Sequence, residues 1–490
     1  MLNGWITAAV AALSLATCAL GVPPDRADLG EAYLRYELAV EVARPTGDAR
    51  ATANRAFDAL TGAFFAGDFA SALTALAEAT AEVRGLDEAR RDGWRYLAAR
   101  RAQGWPRAVV VGSACAWKIS WEPLDGVGLR RPGDGGATPV RWTETRPARI
   151  VVRGTAGELA ATTQDDGSLE FAAPAAPETV QVLAELAGGG ELVEIGRVAV
   201  LSEALPAVRA RMLSQVDALA AQPDTADVAE ALRARVELLS DAPERTRSAS
   251  LLADLPRLVA QLDEEFAAAG RGDNPFAVLD DRDGVRRGRH WRVHRLLGAN
   301  IPVARYVPSG EGPFPVVVAF HGAGGDECMF FEGYGRGELQ RLAERERFIA
   351  ICPATVPFAA SPNLLDALVA ELAAELPIDR DRVYLLGHSL GAVTAGRLAA
   401  LKPKSMRGAA LIAGFSDVAR KSTPATRRLW AAELDPIFSA ESLAKQHSDA
   451  VAAGRPFELT RVPNEGHTLV VGAVLPEAVS WLLRLPAPAE

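Results

Sequence analysis

The sequence predicts an α/β C-terminal domain, a mostly parallel sheet with helices on both faces, preceded by helical and small β-sandwich accessory regions. Three observations predict it. The C-terminal part alternates short apolar runs with helical ones: 314–320 (FPVVVAF) is the continuous β-branched kind that forms a strand covered on both faces. Residues 382–386, 408–413, 428–432 and 457–462 read as further strands, and 392–400 reads as a helix. Residues 107–200 instead carry short β-branched runs (108–111, 148–152, 179–183, 191–195) separated by Gly, Pro and Asp, the texture of a small sandwich. Residues 25–103 and 202–269 are rich in Ala, Leu, Glu and Arg at helical spacing.

The elements follow in chain order. Residues 1–21 form a leader: the apolar run 5–16 is followed by small residues and then by Pro23-Pro24-Asp25-Arg26, with cleavage expected near Ala19 or Gly21. No Lys or Arg precedes the apolar run, and Leu15-Ala16-Thr17-Cys18 approaches a lipoprotein site with Thr where a smaller residue is usual. Export is expected, periplasmic, extracellular or membrane-anchored, with a lipid anchor at Cys18 as the variant. Residues 22–105 are helical, with Ala70, Leu73, Ala77 and Ala81 along one face and a break at Pro45-Thr46-Gly47-Asp48. Residues 106–201 form the sandwich-like domain, in which Trp117 and Trp121 are expected as core rather than as an exposed platform. Residues 202–270 are helical again without a convincing repeat. Gly270-Arg271-Gly272-Asp273-Asn274-Pro275 is the best linker candidate, and 271–490 form the C-terminal domain.

Composition narrows the function classes. At 490 residues the chain holds more than one domain, and a net charge of −9 without a Lys/Arg run argues against nucleic acid as a partner. After the leader no segment is long and apolar enough to span a bilayer. Cys18, Cys115, Cys328 and Cys352 show no metal spacing; a Cys328–Cys352 bridge and free buried thiols are both open. His290 and His294 alternate within a strand-like run, so a half-buried or solvated strand face is expected rather than a metal pair. Asp280-Asp281-Arg282-Asp283-Gly284 has Leu279 where a calcium loop needs its first ligand and His290 where it needs a bidentate Glu, and reads as a charged turn. No cofactor or metal is implied.

The chemistry concentrates in three places. Gly387-His388-Ser389-Leu390-Gly391 joins a strand to a helix as G-x-S-x-G, the spacing a strained turn needs to present a serine Oγ above a sheet. The turn also aims the first free amides of the helix at that point, where a developing oxyanion can be held. Upstream, the strand at 314–320 ends in His321-Gly322-Ala323-Gly324-Gly325-Asp326, a loop whose glycines let backbone N–H groups approach a ligand. Downstream, Asp435 and His467 each follow a predicted strand, in the chain order Ser, Asp, His.

On these residues, 285–485 resembles the catalytic domain of the α/β-hydrolase superfamily. The stretch from Tyr306-Val307-Pro308 through the His321 loop, with Asp381-Arg382-Val383-Tyr384 before the elbow, is most similar to secreted polyhydroxybutyrate-depolymerase-like and feruloyl-esterase-like enzymes. Prolyl-oligopeptidase-type domains come next. The resemblance implies Ser389 as nucleophile, Asp435 as acid, His467 as base, and the amides of Ala323 and Leu390 as oxyanion donors. The family usually has a glycine three residues before the acid, where this chain has Ala432, so Glu433 and Asp417 are fallback acids. His321, Gly322, His388, Met329, Phe330, Phe331 and Tyr334 are candidates to line the substrate site. The short spacing between the strands at 408 and 429 leaves no room for a lid domain. The expected function is an exported serine hydrolase cleaving small-molecule or polymer-linked carboxylic esters. A prolyl-oligopeptidase-type peptidase and a silent hydrolase-fold scaffold are the rivals.

Overall fold

The computed structural model describes residues 21–127, 147, 149–164, 168–187, 189–278, 284–416, 425–455 and 457–486. The leader through Leu20 with Cys18, the Asp280–Asp283 turn and the fallback acid Asp417 lie outside the described residues. The chain forms two compact units, one of residues 1–32 and 60–200, the other of residues 33–59 and 201–490.

In the first unit two antiparallel sheets make the sandwich. Arg100–Trp105, Ala114–Pro123, Leu169–Ala172 and Ala161–Thr163 form a four-stranded sheet in that order; Ala108–Val110, Leu192–Leu201, Glu178–Glu185, Arg149–Gly154 and Gly157–Leu159 form a five-stranded one. Alternation places Cys115 and Trp117 of one strand inward, where they meet Val152, Val180, Val182 and Val198 of the other sheet. Leu86, Trp94 and Leu97, from the helix Glu88–Ala98 and the turn before it, close the same core. The Trp117 indole lies flat on the backbone of Gly104, where a Cβ would stand 1.8 Å from its Cζ2, so only glycine is accommodated. Trp117 is therefore core, and Trp121 packs on Tyr96 at 6.2 Å between ring centroids.

The second unit is built on one eight-stranded sheet. Its strands are β1 (Gly288–Leu296), β2 (Ala299–Val307), β3 (Phe314–Phe320), β4 (Ile349–Pro353), β5 (Ile378–His388), β6 (Gly408–Ile412), β7 (Thr426–Ala432) and β8 (Glu458–Val462). They are ordered β1-β2-β4-β3-β5-β6-β7-β8. The β1–β2 hairpin turns through Leu297 and Gly298, both at positive φ, and β2 pairs antiparallel with β4; every later pairing is parallel. Every residue of β3, β4 and β6 is buried, as central parallel strands require. Val316, Val318 and Phe320 face a core with Leu365, Leu368, Ala395 and Leu398, while Val317 and Ala319 are buried on the opposite face. The strand order reverses at β3, and the carboxyl ends of the strands at such a point are where an open α/β sheet places its ligands.

Residues that precede the sheet in the chain also belong to this unit. Helix α1 (Gly47–Asp58) is one example. The helices at 205–270 are another, and the expected linker at 270–275 runs on within the same unit. The second group is tied to β1 through buried charges. Arg235 Nε donates to Glu265 Oε2 at 3.0 Å, and His290 Nε2 contacts Glu265 Oε1 at 2.8 Å. His290 and His294 thus lie on a strand as expected, but fully buried and paired with Glu265 and Glu371 rather than half-solvated, and burial holds both imidazoles well below their ordinary pKa. Among the described residues no cluster is arranged to hold a metal, and no helix is long and apolar enough to cross a membrane. Cys115, Cys328 and Cys352 are free, buried thiols.

Candidate active site

Ser389 stands between β5 and helix α2 (Leu390–Leu401) with φ 53° and ψ −118°, a conformation a side chain tolerates only where surrounding packing enforces it. The enforcement is visible at three glycines. A Cβ at Gly387 would lie 2.2 Å from the Gly391 carbonyl oxygen, one at Gly391 would lie 1.8 Å from the Phe320 oxygen, and one at Gly414 would lie 2.6 Å from the Ser389 oxygen. Gly387 and Gly391 belong to the motif; Gly414, after β6, carries no sequence signal for this role. The Ser389 amide donates to Ile412 O at 3.0 Å, so β6 holds the turn from below.

His467 joins the serine to a carboxylate. Its Nε2 lies 3.0 Å from Ser389 Oγ and its Nδ1 lies 2.8 Å from Asp435 Oδ2. The other Asp435 oxygen, Oδ1, accepts the amides of Ile437 (2.7 Å) and Phe438 (2.9 Å), which fixes the carboxylate plane. The Phe438 ring lies nearly parallel to the imidazole, 16° between planes. Ala432, where the family has glycine, is fully buried in β7 and still lets the chain turn to bring Asp435 to the imidazole. Glu433 is engaged elsewhere, accepting the Asn464 amide at 3.1 Å.

Several expected lining residues support the loops instead. Phe330 and Phe331 are each 1 % exposed and belong to the interior, so they do not line an open cleft. Tyr334 is equally buried, packs edge-on against Phe330, and its burial raises the phenol's pKa. His321 is buried too. Its Nε2 accepts the Thr355 amide at 3.1 Å, leaving Nδ1–H to donate to Gly322 O at 2.8 Å, and its carbonyl accepts the Thr355 hydroxyl. Tyr334 shows the physical reason: a glycine-rich loop has few side chains of its own to pack, so a large neighbouring one reaches its backbone at Gly322. At the loop tip Ala323 and Gly324 are exposed, and Leu390 is half-buried at the first position of α2, where an amide has no intrahelical acceptor.

His388 is the hub of a relay. Its Nε2–H donates to His467 O at 2.8 Å, which leaves Nδ1 to accept from the Tyr334 hydroxyl at 2.7 Å, and the Tyr334 oxygen accepts the Gly322 amide at 3.2 Å. Burial holds this imidazole well below its ordinary pKa, so the neutral tautomer that the relay needs is the one present. The Gly322 amide is thereby occupied and not offered to a ligand. Tyr334→Phe removes the acceptor of a buried amide and the donor to a buried ring nitrogen; we expect a loss of about 1–3 kcal/mol in urea unfolding, with Gly322 backbone exchange accelerated.

The loop carrying His467 rests on helix α1. Arg50 Nε and Nη2 hold both Glu465 oxygens at 2.8 Å each, Asn54 Nδ2 donates to Asn464 O at 2.9 Å, and Asp58 Oδ2 accepts the His467 amide at 2.8 Å. A Cβ at Gly466 would stand 2.2 Å from Asp58 Oδ2, so the helix and the loop meet where only glycine fits. Sequence reasoning missed Arg50, Asn54 and Asp58, which look like the polar face of an ordinary helix some four hundred positions away. Chemically the arrangement offers a hydroxyl, a base to take its proton, and a buried carboxylate to orient that base.

Residues 316–488 match the model of the Alpha/beta hydrolase family. Solved structures with a similar chain path include a thermostable esterase (20 % identity, TM-score 0.34, 40 % of this chain and 62 % of that one). Others are an S-formylglutathione hydrolase from Agrobacterium tumefaciens (17 %, 0.35, 41 % and 96 %) and an acetyl xylan esterase from Aspergillus awamori (14 %, 0.33, 39 % and 98 %). No curated protein matches the chain.

Proposed function

Starting from a C-terminal segment of the Alpha/beta hydrolase family, we propose that the protein is a serine hydrolase of carboxylic esters. The observation that carries this is the continuous series Ser389 Oγ, His467, Asp435, at 3.0 and 2.8 Å, on a turn strained as such nucleophiles are. Ser389 Oγ attacks the ester carbonyl while His467 Nε2 takes its proton. The amides of Ala323 and Leu390 hold the oxyanion of the tetrahedral adduct. The carbon–oxygen bond to the alcohol then breaks as His467 returns the proton to the leaving alkoxide, giving an acyl-serine. Water, deprotonated by the same imidazole, attacks the acyl carbon, and Ser389 departs with the proton restored. Asp435 keeps Nδ1–H pointed at itself throughout and offsets the positive ring. The leader-like sequence at 1–21 supports export, so the substrate is met outside the cytoplasm, as a small ester or one linked to a polymer.

A panel of p-nitrophenyl acyl esters, feruloyl esters and prolyl amides, run beside labelling by a fluorophosphonate probe, tests this reading. Expected are ester turnover, little or none on prolyl amides, and a label mapped to Ser389 by peptide mass spectrometry. Faster cleavage of the amides would make the protein a peptidase. Folded protein that takes no label would make it a silent scaffold.

A further inference from the structure

Asp58 stands outside the matched segment 316–488, yet its carboxylate lies at the base. Oδ2 accepts the His467 amide at 2.8 Å. Oδ1 is buried and has no hydrogen-bond partner. The charged groups around it are few. His467 and Asp435 face it, Arg50 of its own helix is taken bidentately by Glu465, Glu433 is held by the Asn464 amide, and neutral His388 stands 4.8 Å from the His467 ring between centroids. Burial pushes the Asp58 acid up to about 6, with His467 pulling it down and Asp435 pushing it up. A folded pKa raised above the unfolded one means that the protonated form stabilises the fold, and that this stability is lost as pH rises through about 6. An asparagine would accept the same His467 amide without that loss. A charge kept here at a cost to folding calls for a use.

We propose that Asp58 is a second carboxylate of the active site, a positioning residue that holds the His467 main chain and whose charge stabilises the imidazolium formed during acyl transfer. This rests on the Ser389–His467 reading above. Asp435 supports the ring through Nδ1–H, a directed hydrogen bond; Asp58 supports it through space, from an element that the hydrolase segment does not itself contain.

Comparing Asp58→Asn with Asp58→Ala separates the two contributions, because asparagine keeps the acceptor and removes the charge. For Asp58→Asn at pH 8 we expect kcat to fall about tenfold with KM little changed, the equivalent of one pKa unit on the imidazole. The ratio of wild type to this variant should close towards one as pH falls through about 6, where the wild-type carboxylate takes up its own proton. Its melting temperature at pH 8 should be no lower than that of wild type. Asp58→Ala should lose more activity and some stability. A substrate-free arm follows the His467 ring by NMR in histidine-labelled protein, and should find it titrating about one pH unit lower in Asp58→Asn than in wild type. Equal ring titration and equal kcat at pH 8 in wild type and Asp58→Asn would overturn the assignment and leave Asp58 a loop anchor. A shifted ring in proteins that turn over no ester would keep Asp58 beside the base while sinking the esterase reading.

Discussion

Ser389→Ala is expected to lower kcat/KM on an acyl ester by about 10⁴–10⁶-fold, to the residue of catalysis that oxyanion donors and binding alone sustain. The loss should appear almost wholly in kcat, because the hydroxyl is needed to form the acyl-serine rather than to bind substrate. Folding should survive. Alanine has the same Cβ that the strained turn at φ 53° already accommodates, and the Ser389 amide keeps its bond to Ile412 O. An unchanged circular dichroism spectrum with lost turnover and lost fluorophosphonate labelling is the expected set. Undiminished turnover in folded variant would remove Ser389 from the mechanism.

Asp435→Asn is expected to cost about 10⁴-fold in kcat while leaving the fold intact. The neighbours of the carboxylate say why. Oδ1 accepts the Ile437 and Phe438 amides, so the oxygen of an asparagine is drawn to that side and its NH2 is turned towards His467. The ring then meets a donor where it met an acceptor, and adopts the tautomer with Nδ1 bare and a proton on Nε2. In that state Nε2 cannot take the Ser389 proton. The pre-steady-state rate of acyl-enzyme formation is the measurement to make. A wild-type rate would move the acid off Asp435; Glu433 is bound to the Asn464 amide, which leaves Asp417 as the next position to vary.

The candidate site was legible in sequence where local sterics impose residue type. Gly387 and Gly391 are needed by the turn whatever surrounds it, and Asp435 and His467 follow strands that periodicity picks out. Lining was not legible, because whether Phe330, Phe331 and Tyr334 face a cleft or a core depends on what packs under the loop, and sequence carries no distance. His388 illustrates the same limit. As the variable residue of the pentapeptide it looks free, while in the fold both its ring nitrogens are committed, to His467 O and to Tyr334.

The chain's α/β class, its sandwich and the order Ser, Asp, His follow from periodicity and from turns that only certain residues enter, both of them short-range properties. That a second carboxylate, Asp58, bonds the same histidine was decided by tertiary structure alone. Asp58 and Asp435 share a compact unit but are separated by most of the chain, which passes through the other unit between them, and nothing in the spacing of Asp58 predicts that it would take the backbone amide of the histidine whose imidazole N–H Asp435 takes. Burial and Coulomb interaction act over ångströms in space, and only the folded chain sets those distances.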